Sequence, residues 1–155
     1  MKKDRRANGL RQSPFHTLSE TEIAHLKNEI KAIKADINVF VFNKGAKTGY
    51  SDRFRIIRIR GDVFPDKSSL HPRDLMSERA VLAHEYYGHY KYAPSKIEAG
   101  DWRDEFRASY MAAKNAPNLN DEDRRYLVLD ALERAKEAGV TITYNDFIRR
   151  VLYGY

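Results

Sequence analysis

The chain has 155 residues, 42% hydrophobic and 32% charged, with 28 Lys plus Arg against 22 Asp plus Glu for a net charge of +6. This is the composition of one globular domain with a single core, and it excludes a disordered or low-complexity chain. The absence of cysteine excludes disulfides, thiolate zinc knuckles, iron–sulfur clusters and cysteine nucleophiles, so any metal must be held by His, Asp or Glu.

Residues 1–17, beginning MKKDRRANGLRQS, read as a basic flexible arm, and 18–155 as a single domain. No apolar segment follows the arm and no apolar run reaches the roughly 20 residues of a membrane span, so neither a secretory signal nor a bilayer-crossing helix is expected. The expected location is the cytoplasm; secretion as a toxin or association with a virion fits the same features. SETE supplies a capping box, with Ser19 as N-cap and Glu22 at N3, and Ile23, Leu26, Ile30 and Ile33 follow at helical spacing. They predict an amphipathic helix over about residues 19–35. The β-branched and aromatic run from Ile37 to Phe42 predicts a buried strand, and NKGAKTGYSD a turn-rich loop. In RFRIIRIR, Arg53 to Arg60, charge alternates with Phe54, Ile56 and Ile59, and the doubled Ile56–Ile57 suggests a bulge in a second strand. An antiparallel pair is the simplest arrangement of the two.

After the irregular GDVFPDKSSLHP, Pro72 suits the first turn of a helix capped near Ser69 or His71 and running over about residues 73–90. APSKIEAGD is loop. Asp101 can cap a helix through Trp102, Phe106, Tyr110 and Ala113 that stops before Pro117. Asn120 with the following DED opens another, closed by Gly139 at C′. A last helix packs through Phe147, Ile148, Val151 and Leu152. The expected fold class is α+β, a mostly helical domain in which a small antiparallel sheet precedes the helix carrying HEYYGH. The isolated His16, His25 and His71 read as surface or capping residues.

HEYYGH places His84, Glu85 and His89 together. A zinc protease needs two imidazoles on one side of a helix, with the glutamate after the first of them facing the bound water. At i and i+4 the angular offset is about 40°, but at i and i+5 it is about 140° with a rise of about 7.5 Å. In a regular helix His84 and His89 therefore cannot share an ion. A π-bulge absorbs one extra residue, and Gly88 lets the backbone bend there; a helix ending at Gly88 would also turn His89 back. A hydrolytic site needs a third ligand, and DWRDEFRAS offers Glu105, 16 residues after His89. Asp101 and Asp104 are more economically explained as capping groups. Alternatively, Glu85 and His89 sit at i and i+4 on an undistorted helix and could join Glu105 in a carboxylate-rich iron or manganese site. The pattern could also be a chance one on a helix surface.

His-Glu, a short stretch, Gly-His and then a helix opening DEFRAS resembles the zincin metallopeptidases, nearest in layout to the ImmA/IrrE-like family, over about residues 37–115. This likeness departs from the family signature by one residue inserted between the histidines. It implies a zincin-like fold, one Zn2+ held by His84, His89 and Glu105, and Glu85 as general base in peptide hydrolysis. A fainter likeness connects HEYYGH and DEFRAS with domains of phage head and polymorphic-toxin proteins. In a hydrolytic reading, Tyr86, Tyr87 or Tyr110 could stabilise the oxyanion, although at least three of the four tyrosines Tyr86, Tyr87, Tyr90 and Tyr92 are better read as core and rim. Arg107 could anchor a substrate carboxylate or simply pair with Asp104 one turn earlier. The strand Arg53 to Arg60 is the candidate edge for an extended substrate, its charge favouring acidic peptides. The alternative function is a non-catalytic phage or mobile-element structural module whose +6 charge contacts nucleic acid or acidic protein.

Overall fold

The computed structural model describes residues 12–66, 68–98 and 100–154; most of the basic arm lies outside the described residues. Its last part is anchored rather than free: the Gln12 amide donates to Phe64 O at 3.2 Å, and the chain at Ser13 and His16 lies against Gly61, where a Cβ would overlap Ser13 O.

Helix α1 spans Glu20–Ala32 and begins as the capping box requires, with Ser19 Oγ accepting from the Glu22 amide at 3.1 Å and Glu22 Oε1 accepting from the Ser19 amide at 2.8 Å. Its inward stripe, Leu26, Ile30 and, just past the end, Ile33, is fully buried. A 3₁₀ turn, Ile37–Val39, takes the first half of the expected strand; β1 is only Phe40–Phe42. β2, Gly49–Ser51, falls inside the segment read as loop, and β3 is Ile56–Ile59.

The sheet is mixed, a correction to the antiparallel pair expected. Its order is β1-β3-β2: β1 runs parallel to β3, with Phe40 opposite Ile57 and Phe42 opposite Ile59, while β2 runs antiparallel to β3, with Tyr50 opposite Ile57. The chain leaves β1 at Asn43, φ 61°, crosses to the far side of the future β3, and only then makes its hairpin. Asn43 fixes that departure, its side chain accepting from the Leu18 amide at 2.8 Å and donating to Leu18 O at 3.1 Å. β3 is consequently central, with Ile57 and Ile59 fully buried, and cannot be the free edge expected of Arg53 to Arg60. Phe54 does not face inward. It lies in the β2–β3 turn, 56% exposed, where Arg55 takes φ 53°.

The helix expected over 73–90 is broken into pieces. α2, Pro72–Leu75, has Pro72 in its first turn and His71 Nδ1 accepting from the Arg73 amide at 3.2 Å. Ser77 then caps a new start, accepting from the Ala80 amide at 3.1 Å and donating to Asp123 at 2.6 Å. α3, Glu78–Ala83, runs into a π-helical turn, His84–His89, and a 3₁₀ turn, Tyr90–Tyr92. Helices α4, Trp102–Asn115, α5, Asp121–Glu137, and α6, Asp146–Tyr153, are capped by Asp101, Asn120 and Asn145. Leu82, Leu127, Val128 and Ile148 join the α1 stripe and the β3 isoleucines in one core. Among the described residues, six helices and this small sheet make a mostly helical α+β fold. Among the described residues no helix is long and apolar enough to cross a membrane.

Candidate metal centre

The π-helical turn resolves the spacing of HEYYGH. The Tyr90 amide reaches back to Glu85 O, five residues earlier, so five residues close about one turn and His84 and His89 come to the same side. Their ring centroids lie 4.9 Å apart with planes at 76°. Gly88 is required for a reason beyond backbone freedom: α4 passes so close that a Cβ there would overlap Ala108 O and lie 2.5 Å from Ala108 Cα. The missing side chain lets the two backbones touch, and that contact brings Glu105, one turn before Ser109 on α4, over the imidazoles.

Glu105 Oε1 lies 3.1 Å from His84 Nε2 and 3.4 Å from His89 Nε2. A tetrahedral ion with ligands about 2.1 Å away has ligand atoms about 3.4 Å apart, and each imidazole nitrogen stands at about that separation from the Glu105 oxygen. Glu85 stands beside them. Ligand atoms of His84, Glu85 and His89 all lie within 4.8 Å of one another, as do those of His89, Asp104 and Glu105. The cluster could therefore hold a metal ion, and two imidazoles with carboxylates and no thiolate suit zinc, iron or manganese.

Electrostatics reinforce the geometry. Burial of His89 works against its protonation, but the hydrogen bond to Glu105 and the charges of Glu85, Glu105 and Asp104 outweigh it and raise the imidazole pKa to about 9. Burial would raise the Glu105 carboxyl; its hydrogen bonds to His84 and His89 and the charges of His84 and Arg134 instead hold it well below the usual carboxylate range. Burial wins at Asp104, whose pKa rises despite His89 and Arg107. The carboxylates grouped around His89 thus favour a positive charge at that position.

Several residues supporting this arrangement carry no motif. Asp104 is not a cap: Asp101 fills that role, accepting from the Arg103 amide at 2.9 Å. Asp104 is instead buried, with Oδ2 3.6 Å from His89 Nδ1 and Oδ1 accepting from Arg107 at 2.8 Å. His84 Nδ1 lies 2.8 Å from Ser109 Oγ, which donates to Asp130 Oδ2 at 2.5 Å. Ser109 could have been found from its place four residues after Glu105, on the same face of α4; Asp130, on α5, gave no such signal. Tyr50 of β2 lies parallel to His89, centroids 6.3 Å apart and planes 2° from parallel. Its hydroxyl is buried near Asp52; burial first, and then the charge of Asp52, raises its pKa.

The tyrosines considered for the oxyanion are engaged elsewhere. Tyr87 donates to Ile33 O at 2.6 Å, Tyr110 accepts from Asn145 at 2.8 Å and packs edge-on against Phe147, and Tyr86 is buried between Phe40 and Tyr90. Arg107 pairs with Asp104, donates to Ser95 Oγ at 3.2 Å and lies over Tyr92, which favours the structural reading of that arginine. In comparisons with protein-family models, curated proteins and solved structures, nothing matches this chain.

Proposed function

We propose that the protein is a zinc-dependent peptidase in which His84, His89 and Glu105 hold the metal and Glu85 is the general base. The observation that carries this reading is the convergence of both Nε2 atoms on one oxygen of Glu105, with the Glu85 carboxylate grouped beside them. Bound there, zinc would polarise the scissile carbonyl and acidify a water. Glu85 takes the proton of the attacking water and hands it to the departing amine. Among the described residues β2 pairs only with β3, and Tyr50 sets that strand beside His89. Its outer side is the edge on which an extended peptide adds by main-chain pairing. Arg53 and Arg58 lie over the exposed ring of Phe54, and Arg55 over Tyr90, a basic rim that favours acidic peptides.

The purified protein is expected to carry about one zinc per chain, removable by chelation, and to cleave acidic peptides. Glu85→Gln should keep the metal and abolish cleavage. A protein that takes up no stoichiometric metal, or a Glu85→Gln variant as active as the wild type, refutes the proposal. The same Arg53–Phe54–Arg58 cluster supports a second reading, a non-catalytic phage or mobile-element domain contacting nucleic acid; metal-free protein that binds DNA with steep salt dependence would favour it.

A further inference from the structure

We propose that Asp130 and Ser109 are positioning residues for His84, holding its imidazole with the proton on Nδ1 and the Nε2 lone pair turned toward the metal position. The identity of the ion rests on the peptidase reading; the orientation of the ring does not.

The direction of each hydrogen bond follows from what each group can donate. Asp130 is completely buried. Its Oδ1 accepts from Arg73 Nε at 2.8 Å, and Arg134 Nε lies 3.3 and 3.4 Å from its two oxygens. Between two guanidinium groups it is an ionised acceptor with no proton to give. Burial opposes that charge, but Arg134 and Arg73 overcome it and keep the carboxyl well below the usual range. The Ser109 hydroxyl, 2.5 Å from Oδ2, must therefore point its single proton at Asp130. Its lone pairs remain for His84 Nδ1 at 2.8 Å, and that contact is favourable only if Nδ1 carries the hydrogen. Once the hydrogen that Nε2 shares with Glu105 Oε1 at 3.1 Å is displaced, the ring keeps its Nδ1 hydrogen and presents the Nε2 lone pair. Four elements take part: α2 supplies Arg73, the π turn His84, α4 Ser109 and α5 Asp130. Metal-bound histidines are commonly oriented by such an outer partner, but here the carboxylate acts through a hydroxyl.

Asp130→Asn should reverse the relay. The asparagine oxygen turns to the Arg73 guanidinium, because an amide NH2 there would face a donor. The NH2 then donates to Ser109 Oγ, freeing the serine proton for His84 Nδ1, so Nδ1 becomes the acceptor and Nε2 carries the hydrogen. Ser109→Ala removes one oxygen and leaves Nδ1 without its acceptor.

The test is 15N NMR of His84 in metal-free protein, paired with titration of zinc alone. Wild type should show a protonated, pyrrole-type Nδ1. Asp130→Asn should show a pyridine-type Nδ1, Ser109→Ala a mixture, and both should bind zinc about 10- to 100-fold more weakly. If either folded variant keeps a fully protonated Nδ1 and wild-type zinc affinity, the relay does not orient the ring. Should Asp130→Asn fail to fold, Ser109→Ala decides alone. A wild-type protein that binds no zinc overturns the peptidase reading, and the Nδ1 measurement still decides the relay.

Discussion

Gly88→Ala reverses the usual sign of its substitution class. In a helix, replacing Gly by Ala normally stabilises by about 0.5–1 kcal/mol, because the unfolded chain loses freedom. Here the new methyl would overlap Ala108 O and approach Ala108 Cα to 2.5 Å. No rotamer relieves a clash with backbone, so the π turn and α4 must separate. Overpacking of this kind costs about 1–3 kcal/mol, and a backbone obstacle places this case at the upper end, leaving a net loss of about 2 kcal/mol. At about 2–4 °C per kcal/mol for a chain of this size, calorimetry should show Tm lower by about 4–8 °C. Because Glu105 rides on α4, its separation from the imidazoles grows and zinc affinity should fall at least about tenfold. Gly49→Ala is the control, since a Cβ there meets nothing within 4 Å, and it should lower neither Tm nor zinc affinity. A Gly88→Ala variant as stable as the wild type would show that the approach of α4 to the turn is not what holds the site together.

Three further outcomes are expected. Metal-free His89 titrates near 9 rather than at the ordinary value near 6.5; because its folded pKa is raised, the stability it confers is full below about 6.5 and is lost as pH rises through about 9. Zinc must displace that proton, so apparent zinc affinity should climb with pH up to about 9 and then level, which calorimetric titration in a pH series would check. Arg73→Leu leaves Asp130 buried with Arg134 as its one remaining cation and the Ser109 hydroxyl as its other donor and should cost about 3 kcal/mol in urea unfolding; a loss below about 1 kcal/mol would contradict the arginine's assigned role. Tyr87→Phe removes only the bond to Ile33 O and should cost about 0.5–1.5 kcal/mol without changing peptide cleavage, whereas loss of an oxyanion donor would slow it by about 10²–10³.

Local chemistry made much of the fold legible in advance. Ser19 with Glu22, Asp101, Asn120 and Gly139 each mark a helix end through a group within four residues of the backbone it serves, and such signals survive folding unchanged. The π turn was one of two backbones the sequence offered, the other a helix ending at Gly88, since either one brings histidines five residues apart to one side beside a glycine. What escaped depends on partners distant in sequence. Gly49 to Ser51 has neither length nor alternation to announce a strand and becomes one only because β3 offers a ladder. The parallel pairing of β1 with β3 is set by where the chain crosses after Asn43, which hydrophobic pattern does not encode. Asp104 occupies a first-turn position where acids commonly serve the helix dipole, so its burial against His89 was hidden behind an adequate local explanation. Asp130 meets Ser109 across 21 residues, and only the packing of α4 on α5 reveals it.

The five-residue spiral also implies an asymmetry between ligation and packing under changes of length. Deleting either Tyr86 or Tyr87 would shorten the gap to four residues, and an ordinary α-helix would then carry both imidazoles on one flank without distortion. The excised residue would be one that stacks on Phe40 or one that ties the segment to the end of α1. The chain thus stands one residue from a four-residue histidine spacing, and what resists that step is the seating of the segment against α1 and β1.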